Sequence, residues 1–300
     1  MPEQSVHCCV TSPPYWGLRD YGVDGQLGLE STPEEYVAKM VEIFREVRRV
    51  LRDDGTLWLN LGDSYAGQAK AGDKRFGNPE FNKNRPSRER TKTPGKAVPP
   101  GLKPKDLIGI PWMVAFALRA DGWHLRQDII WHKPNPMPES VKDRCTKAHE
   151  YIFLLAKSAQ YYYDNEAIKE DAKPESEKRY KSTFHTGKKE ISGQGRPGNA
   201  SNTPGYKKWT GKRNKRSVWT VTTKPFKGAH FAVFPPTLVE PMVKAGCPEK
   251  GIVLDPFMGS GTVAEVALKL NRRFIGIELN PEYCKIAKNR ISKIQPQLVF

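Results

Sequence analysis

The apolar positions of this chain follow two rhythms, and the two alternate along its length. Residues 6–10 (Val-His-Cys-Cys-Val) form a short, mostly apolar run cut off by Thr11-Ser12-Pro13-Pro14, the profile of a buried strand ended by a rigid turn. From Thr32-Pro33 onward, Tyr36, Val37, Met40, Val41, Phe44, Val47 and Leu51 recur at three- and four-residue spacing until Asp53-Asp54-Gly55. That period predicts an amphipathic helix with Thr32 as its cap. Residues 56–61 read as a second buried strand, with Gly62-Asp63-Ser64-Tyr65 at its carboxyl end. A helix is expected over 107–120 and strands over 123–132 and 151–157, whereas 165–221 shows no sustained periodicity. Helical spacing returns at 236–245. The chain then runs strand, helix, strand, helix through 252–254, 261–270, 274–278 and 281–294. Alternation on this scale implies one α/β unit with a mostly parallel sheet and right-handed crossovers.

Composition refines this picture in two places. Glycine and proline number 25 each among 300 residues, so the core is expected to be interrupted by long polar loops. No run approaches the ~20 apolar residues of a membrane span, and residues 1–10 do not form a leader, so the expectation is a soluble, cytoplasmic protein with no membrane partner. The five cysteines contain no CxxC pair, so neither a zinc site nor a redox dithiol has its usual spacing, and no metal is expected.

The net charge of +16 is uneven. Residues 178–216 hold twelve basic side chains and one acid; residues 66–105 hold eleven against three acids. Both stretches are poor in aliphatic residues, and a basic excess set on loops marks a binder of polyanions, nucleic acid first among them.

Two constellations carry chemistry. In the first, an apolar strand ends at Asp255-Pro256-Phe257-Met258-Gly259-Ser260-Gly261-Thr262, where glycines open a helix. Nucleotide-like ligands bind at such a turn in open α/β sheets, because glycine lets the backbone come close. The next strand ends at Glu278, an acid able to accept both hydroxyls of a ribose. The pattern is not G-x-G-x-x-G, which favours a nucleoside joined to an amino acid over a dinucleotide. In the second, Ser12-Pro13-Pro14-Tyr15 sets a hydroxyl and a carbonyl in fixed directions beside an aromatic face. An exocyclic base amine is a poor nucleophile because its lone pair is conjugated. Acceptors for both of its hydrogens, here the Ser12 hydroxyl and the Pro13 carbonyl, help its nitrogen become tetrahedral and attack. Tyr15 offers a face for a flipped base.

Together these motifs resemble the DNA amino-methyltransferases that act on N4 of cytosine or N6 of adenine. The catalytic motif precedes a basic middle region and the cofactor motif comes last, which is the permuted order of the beta class. The likeness extends to 57–65, 123–138, 150–157, 230–232 and Pro235-Pro236. It implies a seven-stranded Rossmann-like fold dependent on S-adenosylmethionine, with an inserted basic target recognition region. Residues 1–164 would form the catalytic part, 165–221 the recognition region, and 222–300 the cofactor part. The methionine end of the cofactor would lie near Asp255, Phe257, Gly259, Gly261 and Thr262, with Thr11, Pro256 and Ser260 in the same set and the ribose on Glu278. His230 and Phe231 would complete that pocket. Lys188, Lys189, Arg196, Lys207, Lys208, Lys212, Arg213, Lys215 and Arg216 are the expected DNA contacts.

Asp63, at the end of the neighbouring strand, is a candidate for orienting the base or taking its proton; the alternative is a carboxylate that caps a turn. Ser12 in place of Asp favours cytosine, since relatives with Asp there mostly methylate adenine. Methylation of adenine, methylation of RNA, and a catalytically inactive DNA-binding protein on the same fold are the competing readings. A cognate restriction endonuclease and a homodimeric state are the partners the resemblance leaves open, beside duplex DNA itself. The family usually carries a strand, a Gly-Asp turn and a helix before the catalytic strand; with Met1 ten residues before Thr11 that unit is missing from this sequence, which leaves two readings, a start placed too late or a protein without one sheet strand and part of the adenine pocket wall.

Overall fold

In the computed structural model, residues 1–67, 98–178, 210–223 and 235–294 are described. They divide into two units, 1–164 with 217–300 and 165–216.

The first unit is built on a seven-stranded sheet. In chain order its elements are β1 (Val6–Thr11), α1 (Pro33–Val50), β2 (Leu51–Leu61), α2 (Ile110–Ala120), β3 (His124–His132), β4 (His149–Ala156), β7 (Val218–Thr220), α3 (Pro236–Gly246), β8 (Ile252–Asp255), α4 (Thr262–Lys269), β9 (Arg273–Gly276) and α5 (Pro281–Ile291). The strand order is β7-β3-β4-β2-β1-β8-β9. β1 runs parallel to β2 and β8, β8 to β9, and β3 to β7; β4 is antiparallel to both its neighbours.

Helix α1 forms where its period says it should. The Thr32 hydroxyl accepts the Glu35 amide at 3.2 Å, and Pro33 sits in the first turn. Glu34 and Glu35 stand at the positive end of the helix dipole, Arg48 and Arg49 at its negative end. Tyr36, Met40, Phe44, Val47 and Val50 are the buried stripe. It packs with α2 over the sheet face that carries Cys9, Leu57 and Leu59. Successive strand residues point to opposite faces, so Cys8 lies under α3, where any side chain at Gly246 would come within 2.9 Å of its sulfur. Covered on both faces, β2 is buried without a break from Gly55 to Leu61, as the continuous apolar run requires.

Val218–Thr220 belongs to this sheet as its edge strand beside β3, although nothing periodic marks it in the sequence. The described part of the second unit holds a short 3-10 turn, Glu166–Ile168, and a two-residue antiparallel pair of β5 (Glu170–Asp171) with β6 (Lys212–Arg213).

Candidate active site

The chain leaves β1 through α1 toward β2 on one side, and leaves β8 through α4 toward β9 on the other. Between β1 and β8 the strand order therefore reverses, and in open α/β sheets ligands bind outside the carboxyl ends of the strands at such a point. Both sequence constellations end there. A cleft of about 690 Å³ opens at this place, a size suited to a nucleoside-bearing ligand.

Ser12, Pro13, Pro14 and Tyr15 line one part of the cleft, and Asp255, Pro256, Phe257, Gly259, Ser260, Thr262 and Glu278 line another. Thr11 and Gly261 do not. Thr11 is fully buried and donates its hydroxyl to Asp255 Oδ1 at 2.7 Å, tying the two halves of the site across the switch point. Gly261 begins α4 at φ +80°, and a Cβ there would lie 3.0 Å from that of Ala287, so this glycine serves the packing of α4 on α5. His230 and Phe231 lie outside the described residues.

Asp255 also accepts the Phe257 amide at 3.1 Å. Burial pushes its carboxyl up to about 7, with these two hydrogen bonds opposing the shift. Glu278 folds back on the glycine turn, accepting Gly259 N and Asn280 N, each at 2.8 Å. Phe257, Ile277, Leu279 and Tyr283 add apolar and aromatic wall. Two carboxylates, the turn that opens α4 and an apolar wall match the parts of S-adenosylmethionine: a cationic amino acid, a ribose diol and a flat purine.

The other end of the cleft contains a polar chain that sequence reasoning did not assemble. Tyr15 Oη donates to Glu150 Oε2 at 2.7 Å. The Asn60 amide nitrogen lies 2.6 Å from Tyr15 Oη, 2.9 Å from Glu150 Oε2 and 3.4 Å from Ser12 Oγ, and Ser12 Oγ is 3.4 Å from Tyr15 Oη. Lys133 pairs with the other carboxylate oxygen of Glu150, and its ammonium stands 4.3 Å from the centre of the Trp131 ring. Burial, then the carboxylate beside it, push the Tyr15 hydroxyl well above the ordinary tyrosine range. The ring fits because residue 62 is glycine; a Cβ there would stand 2.5 Å from Tyr15 Cε2. Tyr36 braces the turn from α1 by donating to the Pro14 carbonyl at 2.9 Å. Asn60 and Glu150 did leave a signal, since each is a polar residue in or beside an unbroken apolar strand run.

Asp63 is not in this group. Its Oδ1 accepts the amides of Ser64 at 2.9 Å, Gly109 at 3.0 Å and Ile110 at 3.2 Å, so it caps the start of α2 and does not line the cleft. The DNA contacts expected in the middle region divide. Lys188, Lys189, Arg196, Lys207 and Lys208 lie outside the described residues. Lys212 pairs with Asp171 at 2.5 Å, and Arg213 and Lys215 pair with Glu170 at 3.4 and 3.3 Å, so these three cations are engaged within their own unit. Arg216 ends that unit with an exposed side chain.

A sheet of this order, with a glycine turn and Glu278 on one side of its switch point and Ser-Pro-Pro-Tyr on the other, defines a Rossmann-like methyltransferase. The model of the N6/N4 DNA methylase family matches residues 6–289, and the chain belongs to that family of S-adenosylmethionine-dependent enzymes. It is 49% identical over 291 residues to the type II methyltransferase M.Cfr9I of Citrobacter freundii, covering 97% of this chain and 83% of that one. It is 48% identical over 292 residues to M.SmaI of Serratia marcescens, covering 97% and 86%. Among solved structures, the PvuII cytosine-N4-specific DNA methyltransferase superposes with a TM-score of 0.62 at 17% identity, covering 99% of this chain and 83% of that one. A putative DNA modification methylase of Thermus thermophilus, solved with S-adenosylmethionine, gives 0.56 at 24% identity, covering 98% and 88%. Among the described residues no helix is long and apolar enough to cross a membrane.

Proposed function

We propose that this DNA methyltransferase acts on the exocyclic N4 amine of cytosine in duplex DNA, as the modification enzyme of a type II restriction system in a bacterial or phage-infected cell. The observation that carries the base assignment is Ser12. An uncharged hydroxyl, not a carboxylate, stands at the end of β1 and shares its cleft with Asp255 and Glu278.

Each group then has one task. Asp255 would hold the cationic amino-acid end of S-adenosylmethionine, Glu278 the ribose diol, and Ile277 with Leu279 the purine. The bound cofactor supplies an electrophilic methyl group on a sulfonium. The target cytosine leaves the helix and lies against Tyr15. Ser12 Oγ and the Pro13 carbonyl would accept its two amine hydrogens, which pulls the nitrogen lone pair out of conjugation and frees it to attack. Transfer would form the nitrogen–carbon bond as the carbon–sulfur bond breaks, leaving a neutral thioether, and the proton lost by the methylated amine would pass to solvent. Basic side chains of the middle region, Lys188, Lys189, Arg196, Lys207 and Lys208 among them, hold the phosphates.

Nucleoside mass spectrometry of unmethylated DNA, incubated with the protein and S-adenosylmethionine, tests this reading. N4-methylcytosine is the expected product. N6-methyladenine would keep the mechanism and overturn the base assignment, and no methylated base would overturn the enzymatic reading.

A further inference from the structure

The chain Ser12–Tyr15–Glu150, with Asn60 and Lys133 alongside, does more than hold the cleft together. It fixes which way the hydrogens point. An ionised carboxylate only accepts, so Glu150 Oε2 takes the hydrogen of Tyr15 at 2.7 Å and one from Asn60 at 2.9 Å. The Lys133 ammonium, which only donates, occupies the other oxygen. With its own hydrogen committed, Tyr15 Oη can act toward Ser12 only as an acceptor. The Asn60 amide is set the same way. It turns its donor nitrogen toward three acceptors while its carbonyl oxygen is buried with no hydrogen-bond partner among the described residues, in a side chain only 1% exposed. Leaving that oxygen unpaired is unfavourable, and the cluster of acceptors on the nitrogen side offsets it. Ser12 thus finds an acceptor at Tyr15 for its own hydrogen at 3.4 Å, while the two Asn60 hydrogens go to the nearer Tyr15 Oη and Glu150 Oε2, at 2.6 and 2.9 Å. The lone pairs of Ser12 Oγ are left for the cleft.

We propose that Glu150 is a positioning residue. It sets the hydrogen-bond polarity of the chain so that Ser12 presents a lone pair, and the site thereby selects a base carrying an amine and rejects one carrying a carbonyl at the same ring position. This rests on the role given to Ser12 above, though not on which amino base is the target. A neutral amide at position 150 has its own donor to offer Tyr15. That lets the Tyr15 hydrogen turn toward Ser12, and the Ser12 hydrogen then points into the cleft.

The experiment compares wild type, Glu150→Gln and Tyr15→Phe on duplexes spanning the methylation site, once mapped, with cytosine or with uracil at the target. Wild type should bind the cytosine duplex about tenfold or more tightly than the uracil duplex, the discrimination expected when buried acceptors confront a carbonyl. Both variants should bring that ratio close to one and lower kcat about a hundredfold. S-adenosylmethionine affinity and melting temperature should stay near wild type. Undiminished discrimination in either variant overturns the proposal. So does parallel loss of cofactor binding and of fold in both, which would make the chain a structural brace. If the mapped base is adenine, the same comparison runs with hypoxanthine, so the base assignment can fail while the polarity proposal is still decided.

Discussion

At the scale of single residues, Asp255 is the group whose chemistry its surroundings change most legibly. Unfolded, an aspartate titrates at about 3.9; in the folded chain burial has raised its carboxyl to about 7. The native state therefore binds the proton more tightly, so stability falls as pH rises from about 4 to 7, and above that the full cost of a buried charge is present. Asp255→Asn keeps an acceptor for Thr11 Oγ1 and Phe257 N while removing the ionisation. We expect the variant to resist urea better than wild type at pH 8, by on the order of 2 kcal/mol, with most of the difference gone at pH 4. Equal midpoints at both pH values would mean that the carboxylate is solvated. The same substitution should weaken cofactor binding, because it removes the charge proposed to hold the cationic end of the cofactor.

Among the elements, α2 shows how a residue that reads as chemistry serves architecture. Its first residues follow Gly109 at φ +85°, which brings no side-chain cap of its own. Asp63, from the end of β2, supplies one across 46 residues of chain by accepting the Gly109 and Ile110 amides. Asp63→Ala should lower stability by about 1 kcal/mol in equilibrium unfolding. Loss of turnover with unchanged stability would instead return Asp63 to the reacting base. α4 makes a related point. Its glycine turn resembles a pure ligand loop in the sequence, yet Gly261 is spent on the approach of α5, and only its neighbours reach the cleft.

For the whole molecule, the governing quantity is the charge of +16 and where it stands. Intramolecular ion pairs absorb part of the basic excess: Glu170 and Asp171 hold Lys212, Arg213 and Lys215. DNA affinity should fall steeply as salt rises, since bound lysines and arginines release the counterions of several phosphates. Titrations of Arg213→Ala should keep the wild-type slope of log affinity against log salt. A slope shallower by about one would show that Arg213 leaves Glu170 for a phosphate.

What the chain determines locally is legible in its residues alone. The stripe of α1, the buried run of β2 and the turn from β8 into α4 follow from short-range periodicity, capping and backbone sterics, which act over a few residues. The order of the two motifs is equally visible, and with it the fold class. Contacts between distant segments are not, because periodicity says which face is apolar and nothing about which strand lies beside it. Only the tertiary structure brings Thr11 to Asp255 across 244 residues and Tyr15 to Glu150 across 135, makes Val218–Thr220 an edge strand, and turns Asp63 from the cleft toward α2. Each is a hydrogen-bonding group satisfied from far along the chain, and its partner becomes apparent only when the sheet is ordered.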